Sequence, residues 1–327
     1  MLEISYIEAI KIAMHEEMER DKNVFIVGED VGAKGGVFRA TEGLYDTFGE
    51  ERVIDAPLAE SAIAGVSIGA AMYGMKPVAE IQFADFILPA VNQIVSEAAK
   101  IRYRSNNDWH CPITIRAPFG GGVSGALYHS QSLEAMFSNH PGLKVVIPST
   151  PYDAKGLLKA SIRDDDPVLF FEHKRAYRLL KETIPEEDYT IPLGKADVKR
   201  KGEDITIITY GLCVHLALQA AETLQKEDID VHVLDLRTVY PLDQDSIIEA
   251  ASKTGKVLLI TEDNKEGSII GEVAAIISEH CLFELDAPIK RLAAPDVPAM
   301  PYAHVLEKEF IITQEKIKSE AKSLALF

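Results

Sequence analysis

The stretch LKVVIPSTPYDAKGLLKASIRDDDPVLFFEH, residues 143–173, decides the class of fold. It begins with a short apolar run, LKVVIPS, and ends with another, PVLFFEH, and both runs are typical of buried strands. Between them, PYDAKGLLKASIRDD is predicted to form a helix. A strand, a helix and a second strand in this order indicate parallel strands joined by a right-handed crossover.

The same alternation continues on both sides of this stretch. Upstream, SYIEAIKIAMHEEMERD is predicted to be an amphipathic helix, and NVFIVGED a buried parallel strand. Further along, DFILPAVNQIVSEAAKIRYRS is predicted to be one long helix. A second α/β series starts at DITIITYG and ends in a charged amphipathic helix.

The pattern breaks between the two series. Residues 177–204 contain two prolines and many charges, with no sustained period, so we interpret them as an interdomain linker with some extended structure. The sequence therefore predicts two α/β domains, residues 1–176 and residues 205–327, joined by a linker at 177–204.

The composition argues against two broad classes of protein. Of 327 residues, 47% are hydrophobic and 26% are charged, so the chain has enough apolar surface to fold and is not intrinsically disordered. The formal net charge is −17, which disfavours nucleic-acid binding because phosphate backbones require a basic surface. The acidic balance fits either a basic protein partner or an ordinary solvated surface.

Cysteine usage indicates a reducing compartment. Cys111, Cys213 and Cys281 are far apart and have no CxxC spacing, which argues against a disulfide framework and a zinc cluster. The first residues resemble neither a signal peptide nor a transit peptide. The longest uncharged run, residues 61–75, is too short to span a bilayer. We therefore expect a soluble, cytoplasmic protein.

Several common catalytic motifs are absent. The sequence contains no GxxxxGK[ST], no HExxH, no EF-hand loop and no GxSxG. One GxGxxG match occurs at Gly120, Gly122 and Gly125. The residues after it, ALYHSQS, are a poor start for a phosphate-binding helix, and no acid follows at about 20 residues. We interpret the match as a flexible loop whose backbone packs closely against a neighbour.

Glu60 is a candidate catalytic residue. It lies in DAPLAESAIAGVSIGAAMYG, residues 55–74, at the predicted start of a helix that is otherwise free of charge. One interpretation is a helix-capping acid, stabilised by the helix dipole and free N–H groups. The other is a buried catalytic carboxylate, because a helix that is apolar all round must be buried, against this chain or a partner helix. Residue types alone leave both open.

Three further candidate residues lie at two places in the chain, one after the glycine-rich loop and one at the end of a predicted strand. His129 in GALYHSQS fits either a proton shuttle near neutral pH or an ordinary polar turn residue. Gln82 and Phe86 lie where a strand ends and a helix begins, the place where parallel α/β sheets bind ligands. A polar loop residue and a core aromatic are the alternative interpretation.

Long segments of the chain resemble one family. These are APLAESAIAGVSIGAAMYGMKPVAEIQFADF, APFGGGVSGALYHSQSLEA, HPGLKVVIPSTPYDAKGLLKASIRDDDPVLFFEHK and VLDLRTVYPLD. They resemble the beta subunit of the thiamine-diphosphate-dependent 2-oxo acid dehydrogenase component, and the resemblance covers essentially the whole chain. Within the family, IQFADFILPAVNQIVSEAAKIRYRS and GALYHSQS are most similar to the bacterial branched-chain 2-oxo acid (2-oxoisovalerate) dehydrogenases. Pyruvate and acetoin dehydrogenases are the alternatives, and a non-catalytic scaffold on the same fold is a further one.

The resemblance implies a fold, a cofactor and a partner. The expected fold is a transketolase-like pyrimidine-binding domain, with a parallel sheet and helices on both faces, followed by a transketolase C-terminal α/β domain. The expected assembly is an alpha-two beta-two heterotetramer that binds thiamine diphosphate between an alpha and a beta subunit. The alpha subunit is expected to supply the GDG…N segment that binds magnesium and the diphosphate. The nearest match here, GED at residues 28–30, lacks the rest of that segment, so the chain is expected to be inactive alone.

The resemblance also implies roles for the candidate residues. Glu60 matches the glutamate that hydrogen-bonds a ring nitrogen of the aminopyrimidine and thereby activates the cofactor. His129 matches a histidine associated with proton transfer or charge stabilisation during acyl transfer to a lipoyl arm. Leu58, Gln82 and Phe86 match positions around the aminopyrimidine. The family often has tyrosine at position 86, so only the apolar wall carries over to this chain.

Other implied features leave weaker sequence signals. Many relatives have histidine where this chain has Ser124, which bears on rate or substrate range. The family often has a potassium site built mostly from backbone carbonyls, and Thr114, Ser161 and Asp164 fall near the matching segments.

The resemblance implies a second protein partner. The acyltransferase core of these complexes carries a small basic peripheral subunit-binding domain, which in relatives docks on the C-terminal domain of the beta subunit. The candidate contacts here are Glu284, Asp286 and the terminal carboxylate of Phe327, and such a dock is expected to weaken with salt.

Overall fold

The stretch 143–173 folds as its sequence predicts. Its apolar runs form the strands Lys144–Val146 and Val168–His173, and the helix Pro151–Arg163 lies between them in the chain. The two strands pair in parallel. Thr150 caps the helix, because its side chain accepts a hydrogen bond from the N–H of Asp153, and a proline occupies the first turn.

The computed structural model describes residues 1–327, which form two units. The first unit contains Met1–Phe119 and Met136–Leu193, and the second contains Gly120–Ala135 and Gly194–Phe327. The chain therefore contributes a short internal stretch, Gly120–Ala135, to the second unit before it returns to the first. We call this stretch the 120–135 segment.

The first unit contains a parallel sheet and a short antiparallel pair. The strands are β1 (Leu2–Ser5), β2 (Val24–Gly28), β3 (Val53–Asp55), β4 (Lys76–Glu80), β5 (Thr114–Phe119), β6 (Lys144–Val146), β7 (Val168–His173) and β8 (Lys181–Ile184). Within this unit the strands of the parallel sheet lie in the order β6-β7-β5-β4-β2-β3, and β1 pairs with β8 in antiparallel fashion. The α-helices up to residue 179 are α1 (Tyr6–Arg20), α2 (Leu44–Phe48), α3 (Glu60–Met72), α4 (Ile101–Arg104), α5 (Glu134–Ser138), α6 (Pro151–Arg163) and α7 (Ala176–Leu179).

Helix α1 packs against α6 in the core of the first unit. It starts at a capping box: Ser5 donates from its backbone N–H to the Glu8 carboxylate at 2.7 Å, and the Ser5 side chain accepts from the N–H of Glu8. Ile10, Met14 and Leu157 are fully buried there, at the helical spacing seen in the sequence.

The prediction of one long helix after β4 is wrong. The chain instead forms a 3₁₀ segment at Ala84–Ala90, a π segment at Asn92–Glu97, a further 3₁₀ turn at Ala98–Lys100 and then α4. Pro89 lies inside the first segment and has no N–H to continue an α-helical ladder. Helical periodicity persists across such changes of winding, so the sequence pattern did not reveal them.

The second unit has its own sheet, in the order β14-β13-β10-β11-β9. Its strands are β9 (Asp197–Arg200), β10 (Ile205–Thr209), β11 (Val231–Asp235), β12 (Thr238–Tyr240), β13 (Val257–Asn264) and β14 (Lys290–Ala294). Its helices are α8 (Leu212–Gln225), α9 (Gln244–Thr254), α10 (Ile269–His280), α11 (His304–Phe310) and α12 (Gln314–Ala325). The strands β14, β13, β10 and β11 pair in parallel, as the alternation of strands and helices in the sequence predicts.

The stretch interpreted as a linker, residues 177–204, contains more regular structure than its sequence indicates. It includes β8, which pairs with β1, and β9, which pairs antiparallel with β11. Both strands are short and polar, KETI and DVKR, and they are fixed by backbone pairing rather than by an apolar period. The domain boundaries derived from the sequence stay a prediction.

Candidate functional site

Four of the predicted site residues follow two parallel strands of the sheet, β3 and β4. Both strands pair with β2, which lies between them. Leu58 and Glu60 come soon after β3, while Gln82 and Phe86 come soon after β4. Because the carboxyl ends of parallel strands meet at the same edge of a sheet, these four residues lie along one edge of the first unit. That edge is where open α/β sheets bind ligands.

Glu60 is the first residue of α3 and lies at the positive end of its dipole. The N-cap residue is Ala59, which makes no side-chain capping hydrogen bond, and no other residue of α3 is charged. Glu60 is half-buried in this chain. A carboxylate in this position is available to accept a hydrogen bond from a ligand at the edge of the sheet.

One side of α3 is exposed, although the helix is apolar throughout. Ile63 and Ile68 are buried on its inner side. On the outer side Val66 is 64% exposed and Tyr73, at the C-terminal end, is 91% exposed. The expectation that this helix is buried on every side is therefore not met within the chain. An exposed apolar surface of this kind is typical of a surface that another protein covers.

Glu29 is a site residue that the sequence analysis missed. It directly follows β2 at the same edge as Glu60. Partial burial raises the pKa of Glu29, and the carboxylates of Asp30 and Glu60 raise it further. The sequence signal for Glu29 was the GED motif, residues 28–30, at the end of a buried strand. The sequence analysis considered this motif only as an incomplete magnesium-binding segment.

The loop that follows Glu29 is fixed to the end of β3. The N–H of Gly32 donates to the Asp55 carboxylate at 2.7 Å. A Cβ at Gly32 would lie 2.5 Å from an oxygen of that carboxylate, so a larger residue would displace the Asp55 side chain from this position. The glycine-rich stretch GAKGG, residues 32–36, therefore forms a turn of defined conformation beside the candidate site.

Aromatic rings form an apolar wall next to this edge. The rings of Phe86 and Phe83 lie 5.5 Å apart and meet edge to face, and the ring of Phe38 meets that of Phe83 in the same way at 5.4 Å. Phe86 is half-buried. A flat heteroaromatic ligand could contact such a wall while its polar atoms bind Glu60.

A buried ionic cluster lies deeper in the same sheet. Arg116 on β5 donates to Glu172 at 2.6 and 2.8 Å and to Glu80 at 2.7 Å. Tyr177 donates to Glu172 at 2.6 Å. Burial raises the pKa of Glu80, against the opposing effect of Arg116. The hydrogen bond from Arg116 to Glu80, the last residue of β4, fixes the end of that strand.

His129 belongs to the second unit, within the 120–135 segment. It follows a 3₁₀ turn, Ala126–Tyr128, and is half-buried. Ser124, in the same segment, donates to the Glu307 carboxylate of α11 from its N–H at 2.9 Å and from its hydroxyl at 3.1 Å. Sequence analysis noted Ser124 only as a departure from the family pattern and did not find Glu307.

The other end of the 120–135 segment is buried. Glu134 has no exposed surface, and the Tyr210 hydroxyl donates to it at 2.8 Å. The same hydroxyl lies 2.6 Å from the hydroxyl of Thr261. Burial and the nearby acids Asp263 and Glu262 raise the pKa of Glu134 to about 8. Glu134 could not be singled out from the sequence, because its partners are far away in the chain.

The candidate potassium residues lie in the first unit. Thr114 starts β5 and is buried. Ser161 and Asp164 lie at the end of α6, where the carbonyl of Ser161 accepts from the N–H of Asp164. The Asp164 carboxylate contacts the Lys144 ammonium at 2.8 Å. No group of three or more His, Cys, Asp or Glu side chains is suited to a metal ion, so a cation site here would depend on carbonyl oxygens.

The candidate acyltransferase contacts lie in the second unit beside exposed apolar side chains. Glu284 ends a short 3₁₀ turn, in which Phe283 is fully exposed. The N–H of Asp286 donates to the carbonyl of Gly255. The C-terminal Phe327 is 74% exposed. The sequence analysis identified the acids but not Phe283.

Comparisons with known proteins identify the family of the chain. Residues 3–179 match the family described as "Transketolase, pyrimidine binding domain", and residues 194–317 match "Transketolase, C-terminal domain". The chain is 74% identical to the 2-oxoisovalerate dehydrogenase subunit beta of Bacillus subtilis over 324 residues, which is 99% of each chain. It is 51% identical to the pyruvate dehydrogenase E1 component subunit beta of the same organism, covering 90% of this chain and 91% of the relative.

A solved structure has the same fold. The chain matches a split-gene transketolase, described as an inactive beta4 tetramer, with a TM-score of 0.80 at 22% identity. The match covers 99% of this chain and 98% of the other. Together with the two family matches, it confirms the predicted fold class. None of the helices has the length and apolar character needed to cross a membrane.

Proposed function

The chain belongs to the beta subunits of the thiamine-diphosphate-dependent 2-oxo acid dehydrogenases, and on this premise we propose how its residues act. With an alpha subunit it catalyses the oxidative decarboxylation of branched-chain 2-oxo acids and the transfer of the acyl group to a lipoyl arm. The preference for branched substrates is supported by 74% identity to a 2-oxoisovalerate dehydrogenase subunit, against 51% to a pyruvate dehydrogenase subunit. Pyruvate or acetoin as substrate is the alternative.

Glu60 is the residue that activates the cofactor. Thiamine diphosphate, when bound, supplies a nucleophilic carbon and an electron sink for decarboxylation. The edge beside α3 fits its aminopyrimidine, because a carboxylate without a capping role lies next to an apolar wall. Glu60 would accept a hydrogen bond from a ring N–H of the bound aminopyrimidine and would thereby favour the active form of the cofactor. Exclusion of water by the assembled subunits strengthens this contact.

Leu58, Gln82 and Phe86 position the aminopyrimidine. Phe86 presents a ring face or edge and has no hydroxyl, so it contributes apolar contact alone. Leu58 is 70% exposed in this chain, and binding of the cofactor or the alpha subunit would cover it. Gln82 offers both a donor and an acceptor to the polar rim of the ring.

Glu29 contributes a second acid beside Glu60. Partial burial and the carboxylates of Asp30 and Glu60 raise the pKa of Glu29, which makes it a second polar group at the edge where the aminopyrimidine would bind.

His129 acts at the acyl-transfer stage rather than in cofactor binding. An imidazole can stabilise developing charge or pass a proton to the lipoyl sulfur. Ser124, where many relatives have histidine, leaves His129 as the histidine of this segment.

The alpha subunit supplies the magnesium ion and the diphosphate contacts. The family matches account for residues 3–179 and 194–317 as a pyrimidine-binding and a C-terminal domain. The exposed apolar side of α3 supports an assembly in which another subunit covers it. An alpha-two beta-two heterotetramer meets this requirement. Carbonyl oxygens around Thr114, Ser161 and Asp164 would bind a structural potassium ion.

The acyltransferase core docks on the second unit through its peripheral subunit-binding domain. Glu284, Asp286 and the terminal carboxylate of Phe327 supply the negative charge that a basic domain requires. The exposed ring of Phe283, next to Glu284 in the chain, gives the dock an apolar anchor.

The observation that carries the proposal is the convergence of Glu60, Gln82 and Phe86 at one edge of the sheet in a chain with these relatives. The test compares the chain alone with the chain mixed with its alpha subunit, using 3-methyl-2-oxobutanoate and pyruvate as substrates and an artificial electron acceptor. We expect no activity alone and faster turnover of the branched substrate in the mixture. Activity of the isolated chain, or a clear preference for pyruvate, would contradict the proposal.

A further inference from the structure

Hydrogen bonds attach the 120–135 segment to the rest of the second unit at two separate points. Ser124, near its start, binds Glu307 of α11 through two hydrogen bonds. Glu134, near its end, binds Tyr210, which follows β10. His129 lies between these two points. In both cases the acceptor is a carboxyl group that the proposed chemistry does not use.

The first attachment fixes an unusual backbone. Ser124 has φ 56° and Ala126 has φ 54°, in the left-handed region that non-glycine residues rarely adopt. Glu307 is 4% exposed, so its carboxylate accepts these bonds away from bulk water. Met300 packs against Gly121, where a Cβ would lie 2.1 Å from the methionine methyl carbon. The turn that precedes His129 therefore depends on contacts with the second unit.

The second attachment is a buried chain of polar groups. The Tyr210 hydroxyl lies between Glu134 at 2.8 Å and Thr261 at 2.6 Å, and all three residues are buried. The second carboxyl oxygen of Glu134 has no hydrogen-bond partner. A full negative charge on such a carboxyl is poorly compensated, whereas a neutral carboxyl is tolerated.

We propose that Glu134 and Glu307 are positioning residues that attach the His129 segment to the second unit, and that Glu134 does so as a neutral carboxyl. The attachment itself follows from the contacts of the second unit. Only its consequence for acyl transfer rests on the proposed function of His129.

The groups around Glu134 explain why its protonation matters. The titratable groups that face it are Tyr210 after β10, Cys213 on α8, and Glu262 and Asp263 on β13. These groups are acidic or neutral, and burial together with the acids raises the pKa of Glu134 to about 8. The carboxyl is neutral at physiological pH, and it ionises in moderately alkaline solution. Ionisation places it against the negative charges of β13 and weakens the attachment.

The test follows the segment itself in the assembled heterotetramer. Hydrogen exchange of peptides that cover residues 120–133 is measured between about pH 7 and about pH 9 and corrected for the intrinsic dependence of exchange on pH. In the wild-type enzyme we expect protection to fall about tenfold across this range, because the ionised fraction rises by that order. Glu134→Gln, which keeps a neutral polar group, should retain protection across the whole range. Glu279→Gln, an exposed carboxylate on α10, is the matched control and should behave as wild type.

Two results would overturn the proposal. One is protection that does not change with pH in the wild type. The other is Glu134→Gln losing protection already at about pH 7, which would mean that the charged form is required.

The first attachment gives an independent test if Glu134→Gln does not fold. Glu307→Ala should lower the protection of residues 120–128 about tenfold or more at every pH, because the loss removes two hydrogen bonds. Glu309→Ala, at an exposed position of the same helix, should leave it unchanged. Equal protection in the two variants would overturn the role of Glu307.

Acyl transfer to a lipoyl domain separates this proposal from the proposed function. If the attachment positions His129, wild-type transfer should fall at alkaline pH together with the protection, while Glu134→Gln extends the active range. If His129→Ala leaves transfer unchanged, the role of His129 is wrong, yet the exchange experiments still decide whether the two carboxyls attach the segment.

Discussion

Arg116 donates two hydrogen bonds to Glu172, at 2.6 and 2.8 Å, and neither side chain is exposed to solvent. The same guanidinium donates to Glu80 at 2.7 Å. One cation therefore compensates two buried carboxylates in the centre of the first unit. Glu80 ends β4, the strand that leads to Gln82 and Phe86, so the cluster connects the stability of the core to the shape of the candidate site.

We expect Arg116→Met to destabilise the chain by about 3–5 kcal/mol, because it leaves two buried carboxylates without a cation. The free energy of unfolding in urea measures this. The matched control is Arg104→Met, which removes a surface ion pair with Glu97 and should cost less than about 1 kcal/mol. Similar losses in the two variants would show that the buried cluster contributes no more than an exposed pair.

Glu60→Gln tests the catalytic carboxylate. The amide is close in size but cannot draw a proton shift in the aminopyrimidine, so decarboxylation by the assembled enzyme should fall at least about 100-fold. Assembly with the alpha subunit should be unchanged, because Glu60 is one half-buried side chain at a helix start. Turnover with an artificial electron acceptor measures the first, and sedimentation measures the second.

The control for this prediction is Glu51→Gln, at an exposed turn before β3. It makes the same chemical change outside the site and should leave turnover at the wild-type value. A Glu60→Gln enzyme that decarboxylates as fast as this control would refute the catalytic assignment.

The stability of the chain should depend on the protonation of Glu134. Its pKa is raised from 4.5 to about 8, so between these values the folded chain binds more protons than the unfolded chain. The stabilisation of the fold that comes from protonation of Glu134 is fully present below pH 4.5. It falls as the pH rises through this window and is lost above about pH 8. Glu134→Gln should flatten this slope in urea unfolding at a series of pH values. Part of the slope will remain, because burial also raises the pKa of Asp263 to about 6.

Docking of the acyltransferase core should depend on Glu284, Asp286 and Phe283. Charge contacts with a basic domain weaken as salt screens them, while an apolar anchor is affected little. We expect Glu284→Gln with Asp286→Asn to weaken binding about tenfold at low salt and to reduce its salt dependence. Phe283→Ala should weaken binding at all salt concentrations. Titration calorimetry with the isolated peripheral domain measures both.

Glu272→Gln with Glu279→Gln serves as the control, since it removes two charges from exposed positions of α10. If it weakens binding as much as the paired substitution, the effect reflects the net charge of the chain and not a defined dock.

The sequence predicted those features whose signal is local. The alternation of buried strands and helices predicted the two sheets. A strand end marked Gln82 and Phe86 as candidates, and the start of an otherwise uncharged helix marked Glu60; their roles stay a prediction. The 3₁₀ and π segments from Ala84 to Lys100 were missed, because their apolar residues are spaced nearly as in an α-helix. Glu134 and Glu307 were missed for another reason: each acts through a partner that the fold brings from far along the chain.

The exposed side of α3 gives a last prediction, about assembly. Val66 is 64% exposed in a helix with no charged residue after Glu60. If another subunit covers this side, Val66→Glu buries a charge without a partner there and should lower heterotetramer formation at least about tenfold. The isolated chain should remain folded, because the substituted side chain faces water, and circular dichroism checks this. The control is Ala275→Glu, at an exposed position of α10, which should assemble normally. Normal assembly of Val66→Glu would mean that the apolar side of α3 is not the surface that the partner subunit covers.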